Sequence, residues 1–117
     1  MCGIVGHVVP VGGQPDSGAV QTALRRLAHR GPNDSGLKQT DTACLGHRRL
    51  SIIDLAGSLQ PWSSKDDRYT IVFNGEIYNY LELRAELESV GFLFRTRGDT
   101  EVLLAMYIHY GERCLGK

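Results

Sequence analysis

The apolar run from Gly3 to Val9, which follows directly on Met1 and Cys2, is the feature that most restricts the fold of this chain. We interpret this run as a β-strand. Once Met1 is removed, Cys2 carries a thiol and a free α-amine on one carbon. Such an amine titrates near neutrality and can accept the proton of the thiol, which is a strong nucleophile. Cys2 is therefore either a nucleophile or a small apolar residue that opens a buried strand.

The composition limits the class of protein. A chain of 117 residues with 42% hydrophobic content is one domain, or a piece of one, with a packed core. Its 13 basic and 13 acidic residues cancel, so no net charge favours nucleic acid or a membrane surface. No apolar run approaches the roughly 20 residues that cross a bilayer. We expect a soluble protein whose partner is a small molecule or another protein.

The cysteines and histidines argue against a metal site. Three cysteines, Cys2, Cys44 and Cys114, are odd in number and widely spaced, which does not suit a disulfide framework or a CxxC site. The four histidines lack ligand spacing. We therefore expect no metal and a reduced, cytoplasmic compartment.

A helix and a hairpin are predicted after the first strand. Asp16 or Ser17 can cap the helix, and Gly31 with Pro32 ends it, Gly31 as a left-handed cap. Its apolar positions share one face: Val20, Ala23, Leu24, Leu27 and Ala28. The runs 37–40 and 43–48 then read as a hairpin.

Two adjacent arginines, Arg48 and Arg49, close this hairpin. Neighbouring residues of a strand point to opposite faces, so one guanidinium is expected to point inward and to need a carboxylate. Alternatively, both arginines lie at an exposed strand end.

The dipeptide Asn74-Gly75 follows a predicted strand over residues 69–73 and allows two interpretations. Asn-Gly between apolar runs is a strong hairpin signal. However, the pattern from about Leu81 is helical and Gly91 suits its terminal cap. A strand that turns at Asn-Gly into a helix exposes a side-chain amide and a backbone N–H together, and this pair can stabilise an oxyanion.

The last part of the sequence predicts a strand over residues 92–96 and a helix. Asp99 or Thr100 is the expected N-cap, and this role alone could explain Asp99. The buried face of the helix is predicted to hold Val102, Leu103, Met106 and Tyr110.

Five ordered motifs carry a resemblance to a known family. They are Met1–Gly6, Arg30–Gly36, Gly46–Leu55 with Gln60-Pro61, Phe73–Asn79 and Gly98–Glu101. Together they resemble the N-terminal glutaminase domain of glutamine-dependent asparagine synthetases, within the class II (N-terminal nucleophile) glutamine amidotransferases.

The resemblance implies a mechanism. Cys2 would attack the side-chain amide of glutamine with its own α-amine as base, giving a thioester that water hydrolyses to glutamate. The Asn74 side chain and the Gly75 backbone N–H would form the oxyanion hole. Arg49 would bind the α-carboxylate of glutamine, while Asp99 and the Glu76 segment would bind its α-ammonium.

The resemblance also implies an α+β fold, a four-layer αββα sandwich of antiparallel sheets. Residues 1–117 would be a partial glutaminase domain, incomplete at the C-terminus, with the ATP-dependent synthetase domain absent. This domain would need no cofactor, since ATP and Mg²⁺ would serve the synthetase domain. Its partners would be glutamine and a synthetase domain of the same or a full-length chain. Exposed sheet edges leave self-association into a homo-oligomer open.

Three alternatives remain open at this level. The chain could bind glutamine without turnover, as a regulatory fragment that truncation or a retained Met1 disables. It could be a structural interaction domain in which the motifs are turns and caps. The acceptor of the ammonia could be aspartate, a sugar or another carboxylate.

Overall fold

The computed structural model describes residues 2–50 and 59–117. Of these, residues 2–50, 59–61 and 72–75 form one compact unit, and residues 62–71 and 76–117 form a second. Met1 and the part of the third motif over residues 51–55 lie outside the described residues. The predicted α+β class with antiparallel sheets is confirmed, while the four-layer sandwich stays a prediction.

The first unit is an antiparallel sheet with a helix on one face. Its three strands are arranged in the order β1-β3-β2. The elements are β1 (Gly3–Val8), α1 (Ser17–Arg26) with a 3₁₀ turn at Leu27–His29, β2 (Asp34–Gln39) and β3 (Ala43–Arg49). The predicted first strand, first helix and hairpin are confirmed.

Helix α1 packs on the sheet through the residues that its periodicity predicts. Asp16 is the N-cap, and its Oδ1 accepts a hydrogen bond from the Ala19 N–H at 2.8 Å. Val20 and Leu24 are buried with Cys44 of β3 in one cluster. This core fixes which face of β3 turns toward the helix.

Strand β3 therefore has two different faces. The thiol of Cys44 points toward α1, and Arg48 lies beside α1 residues such as Leu24. His47 and Arg49 alternate with them and point to the opposite face, where both are buried.

The second unit is mainly helical. Its elements are β4 (Trp62–Ser63), β5 (Thr70–Ile71), α2 (Tyr80–Ser89), α3 (Asp99–Tyr110) and a 3₁₀ turn at Gly111–Gly116. Strands β4 and β5 pair antiparallel. The strand predicted over residues 69–73 is thus shorter than expected.

The core of the second unit lies between α2 and α3. Its buried members are Leu87, Val102, Ala105 and Met106. Leu103 was predicted to be buried but is only half-buried, and its neighbour Leu104 is buried instead. Gly91 ends α2 with a φ of 93°, so its predicted role as a left-handed cap is confirmed.

Two predictions for the chain before α3 are wrong. The N-cap is Gly98, not Asp99 or Thr100, and no side chain caps this end. Residues 92–96 form no strand, because a carboxylate takes the N–H groups that a sheet partner would use. Glu101, 5% exposed, accepts hydrogen bonds from the N–H groups of Arg95 at 3.0 Å and of Thr96 at 2.6 Å.

Candidate active site

Cys2 lies at the end of β3, where three hydrogen bonds involve it. Its Sγ accepts a hydrogen bond from the Leu50 N–H at 3.4 Å, and its carbonyl oxygen accepts one from Arg30 Nε at 3.1 Å. The residue is partly buried and its thiol is free. The same sulfur lies 3.8 Å from the carbonyl oxygen of Leu50, to which the thiol can donate.

The loop that follows α1 is pressed against the end of β3. The N–H of Asn33 donates to the carbonyl oxygen of Arg49 at 3.0 Å. A Cβ on Gly31 would lie 2.3 Å from the carbonyl carbon of Arg48, so only glycine fits there. The left-handed cap predicted for Gly31 is wrong, since its φ is not positive and its role is this close approach.

Arg49 is the inward-pointing arginine of the pair. It is 5% exposed, and its Nη1 lies 3.8 Å from Oδ2 of Asp34, its partner residue across β2 and β3. The prediction that one arginine faces inward and meets a carboxylate is confirmed. Its neighbour Arg48 is half-buried on the α1 side.

Asn74 and Gly75 occupy an exposed bend and not a hairpin. The next regular element is α2, which begins at Tyr80, so the chain enters a helix as the second interpretation predicted, although β5 already ends at Ile71. The Asn74 amide has no hydrogen-bond partner within residues 2–50 and 59–117 and is open to solvent. A Cβ on Gly75 would lie 2.7 Å from the ring of Phe73, which keeps this bend tight.

The peptide group just before Asn74 is bound on both sides by side chains. His47 Nε2 lies 3.2 Å from the carbonyl oxygen of Phe73, and the Phe73 N–H donates to Gln60 Oε1 at 2.6 Å. Burial and the charge of Arg49 lower the pKa of His47, although its bond to Phe73 acts in the opposite direction. His47 is therefore neutral near pH 7.

Glu76 and Asp99 belong to the second unit. The N–H of Ile77 donates to Asp99 Oδ2 at 3.0 Å, which joins the first turn of α3 to the segment after Glu76. The side chain of Glu76 is exposed. Asp99 thus acts through a contact distant in sequence and not as a helix cap.

The predicted site residues are divided between the two units. Cys2, Arg49, Asn74 and Gly75 lie in the first, and Glu76 and Asp99 lie in the second. Their roles toward glutamine stay predictions.

Three residues with positioning contacts were not singled out from the sequence, although each lies inside a motif: Arg30, His47 and Gln60. The sequence signal for His47 was its place between a glycine and an arginine in a strand-like run. The signal for Arg30 was its position directly before Gly31-Pro32.

The described ranges contain neither a side-chain cluster suited to a metal ion nor a membrane-spanning helix. Within residues 2–50 and 59–117, no group of three or more His, Cys, Asp or Glu side chains could hold a metal ion. No helix of that same part of the chain has the length and apolar character needed to span a bilayer.

Comparison with known proteins gives a consistent result. Residues 1–117 match a family model described as a glutamine amidotransferase domain. The chain is similar to asparagine synthetase (glutamine-hydrolysing) 1 of Bacillus subtilis, with 46% identity over 100% of this chain. A putative asparagine synthetase of Mycobacterium bovis is 45% identical over 98% of it, and the enzyme of Triphysaria versicolor is 41% identical over 96%. The chain spans only 19% to 20% of the length of these relatives.

Proposed function

Because this chain belongs to the glutamine amidotransferase domain family, we propose that it hydrolyses the side-chain amide of glutamine through a thioester on Cys2. The observation that carries this proposal is the position of the Cys2 thiol. Its Sγ meets the Leu50 N–H, one residue beyond the buried Arg49. The nucleophile is thereby held at the end of the strand that carries Arg49, whose guanidinium can bind a carboxylate.

The first step transfers the thiol proton of Cys2 to its own α-amine, which removal of Met1 sets free. The sulfur then bonds to the amide carbon, and the carbonyl π electrons move to oxygen. When the oxyanion collapses, the C–N bond breaks and the protonated α-amine delivers its proton to the departing ammonia. Water attacks the thioester in the same way, releases glutamate and restores the thiol.

The oxyanion is stabilised by the side-chain N–H of Asn74 and the backbone N–H of Gly75. Two observations support this role. The Asn74 amide is exposed and has no competing partner among the described residues, and the bend at Gly75 is kept tight by the ring of Phe73. Loss of one such donor commonly lowers kcat about 10² to 10³-fold.

The charged ends of glutamine are bound by residues of opposite sign. Arg49 binds the α-carboxylate, and its planar guanidinium suits a bidentate contact. Asp99 and the Glu76 segment bind the α-ammonium, which is consistent with the contact of Asp99 Oδ2 to Ile77 N. Binding of both the α-carboxylate and the α-ammonium lets the site distinguish free glutamine from a glutamine residue within a protein.

The ammonia serves an ATP-dependent amidation, and aspartate is the proposed acceptor because the relatives are named asparagine synthetases. ATP and Mg²⁺ act in the synthetase domain, which is the expected protein partner of this chain. We place the reaction in the cytoplasm, since the thiol of Cys2 must stay reduced. Ile4 and Val8 of β1 are exposed, so contact with that domain or with a second copy is a further expectation.

The test is a glutaminase assay on protein whose N-terminus is defined by intact mass. Protein that starts at Cys2 should release glutamate and ammonia, and treatment with an acylating glutamine analogue should add mass at Cys2. Cys2→Ala should abolish both results, while Cys44→Ala serves as the matched control. Turnover that survives in Cys2→Ala would disprove the mechanism. Glutamine binding without turnover in the protein that starts at Cys2 would select a silent binding module instead.

A further inference from the structure

We propose that His47 and Gln60 are positioning residues that hold the Phe73 peptide and so fix the two oxyanion donors that follow it in the chain. The inference rests on the proposed function of Asn74 and Gly75. Neither side chain needs to touch glutamine. Each acts through the backbone of the residue that immediately precedes Asn74.

The first observation is that both polar groups of Phe73 are bound to side chains. Its carbonyl oxygen lies 3.2 Å from His47 Nε2, and its N–H lies 2.6 Å from Gln60 Oε1. Since a carbonyl oxygen only accepts, Nε2 must carry the proton. Phe73 lies in neither β4 nor β5. Its orientation therefore depends on these two directed bonds, which come from residues 26 and 13 positions away.

The second observation is that His47 and Gln60 lie beside one another at a single residue pair of β2 and β3. His47 stands directly opposite Gly36 in the register. A Cβ on Gly36 would lie 1.9 Å from the carbonyl oxygen of Gln60, so the backbone of Gln60 lies against β2 at that point. Directly paired residues point to the same face of a sheet. One face of the sheet thus supports both contacts to Phe73.

The third observation is the state of His47. It is 1% exposed, and burial together with the nearby charge of Arg49 lowers its pKa. The ring is therefore neutral near pH 7 and contributes a hydrogen bond without a second buried charge beside Arg49. A neutral donor that is fixed by packing suits a positioning role.

The test compares two substitutions at one position in the purified protein that starts at Cys2. His47→Leu keeps much of the volume but removes the donor, whereas His47→Gln keeps an N–H near the position of Nε2. Since an oxyanion contact acts in the transition state, His47→Leu should lower kcat by about 10- to 100-fold and leave KM for glutamine within about twofold. His47→Gln should recover most of that loss. The exposed His109→Leu is the matched control and should keep wild-type kinetics.

A double-mutant cycle separates positioning from a general structural effect. If His47 acts through Asn74, the effect of His47→Leu on kcat should shrink to less than about threefold once Asn74→Ala has removed the donor. The proposal would be overturned if the loss of kcat in the double variant equalled the full combined losses of the two single variants. A His47→Leu effect confined to KM would also overturn it.

Gln60 provides an independent second variant. Gln60→Met removes the acceptor of the Phe73 N–H at similar length, and Gln60→Glu retains it. The methionine variant should reproduce the kcat loss, and the glutamate variant should reduce it. If His47→Leu does not fold, as judged by circular dichroism, this pair decides the question. Wild-type kinetics in Gln60→Met would then overturn the proposal.

Hydrogen exchange distinguishes failure of this inference from failure of the proposed function. Backbone amides of residues 73–75 should exchange faster in His47→Leu or Gln60→Met than in wild type, whether or not the protein turns over glutamine. If the variants exchange faster but the wild-type protein has no glutaminase activity, the proposed function fails and the positioning role stands. Unchanged exchange in an active protein would refute the positioning alone.

Discussion

Replacing Gly31 by alanine should destabilise the first unit, although the change adds only one methyl group. The added Cβ would lie 2.3 Å, 2.4 Å and 2.5 Å from backbone atoms of Arg48 and Arg49. All three are main-chain atoms of a paired strand, so no side chain can rotate away to make room. The loop must move instead.

The expected magnitude follows from that movement. Ordinary van der Waals contact begins near 3.4 Å, so the loop must retreat by about 1 Å from its present 2.3 Å. A retreat of that size breaks the bond from Arg30 Nε to the Cys2 carbonyl and the bond from Asn33 N to the Arg49 carbonyl, now 3.1 and 3.0 Å. Two hydrogen bonds at about 1 kcal/mol each, with residual overpacking, give a loss of about 2 to 4 kcal/mol.

Urea denaturation at pH 7.5 measures this loss in the purified protein. Far-ultraviolet circular dichroism gives the transition midpoint, and an unchanged m-value shows that the midpoint reports stability. Gly116→Ala is the control, because its Cβ would meet no described atom within 4 Å beyond its chain neighbours and the backbone of its own helical turn, and its φ is not positive. The control should change the free energy of unfolding by less than about 0.5 kcal/mol. A Gly31→Ala variant that matched the control would refute the steric reasoning.

The remaining predictions concern stability. Both carboxylate oxygens of Glu101 accept backbone N–H groups, from Arg95 at 3.0 Å and from Thr96 at 2.6 Å. Glu101→Gln must turn its NH₂ toward one of these donors and should cost about 2 to 3 kcal/mol by chemical denaturation. The exposed Glu112→Gln should cost almost nothing, and equal stability of the two variants would contradict this account. Because the pKa of His47 is lowered in the folded state, the unfolded chain binds more protons in the window below about 6.5. The free energy of unfolding should therefore fall as the pH drops from about 6.5 through the folded-state pKa, and it should fall less in His47→Gln. Denaturation at stepped pH measures both proteins, and an equal pH dependence would show that His47 does not cause the loss of stability.

The sequence predicted best those features that depend on neighbouring residues. The periodicity of α1, its Asp16 cap and the β2–β3 hairpin are local, and all three are as expected. Local alternation also predicted that one of the two adjacent arginines points inward, although it did not say which of them.

Features that depend on distant contacts were predicted poorly. Residues 92–96 have the composition of a strand, but Glu101 binds their N–H groups. Asp99 has the side chain of an N-cap, but the Ile77 N–H engages its carboxylate. In both cases a tertiary contact outweighs local propensity, as expected when propensities amount to only about 1 kcal/mol.

In the candidate site, too, features visible in neighbouring residues were predicted and those that depend on distant contacts were not. The motifs indicate the candidate residues for the chemistry, because nucleophiles, amides and guanidinium groups are visible in a sequence. They did not identify His47 and Gln60 as supports of the Phe73 peptide, since that role exists only once β3 and the segment before Asn74 come together.

The buried cysteine of the first unit gives this chain an internal reporter of its own opening. Cys44 is 0% exposed, and burial and the negative charge of Asp16 raise the pKa of its thiol, so it is inert toward alkylation while the unit stays closed. Cys114 differs, because it is partly exposed beside the core of the second unit and can react without any opening. The labelling rate of Cys44 therefore reflects transient exposure of the first unit alone, without any foreign probe.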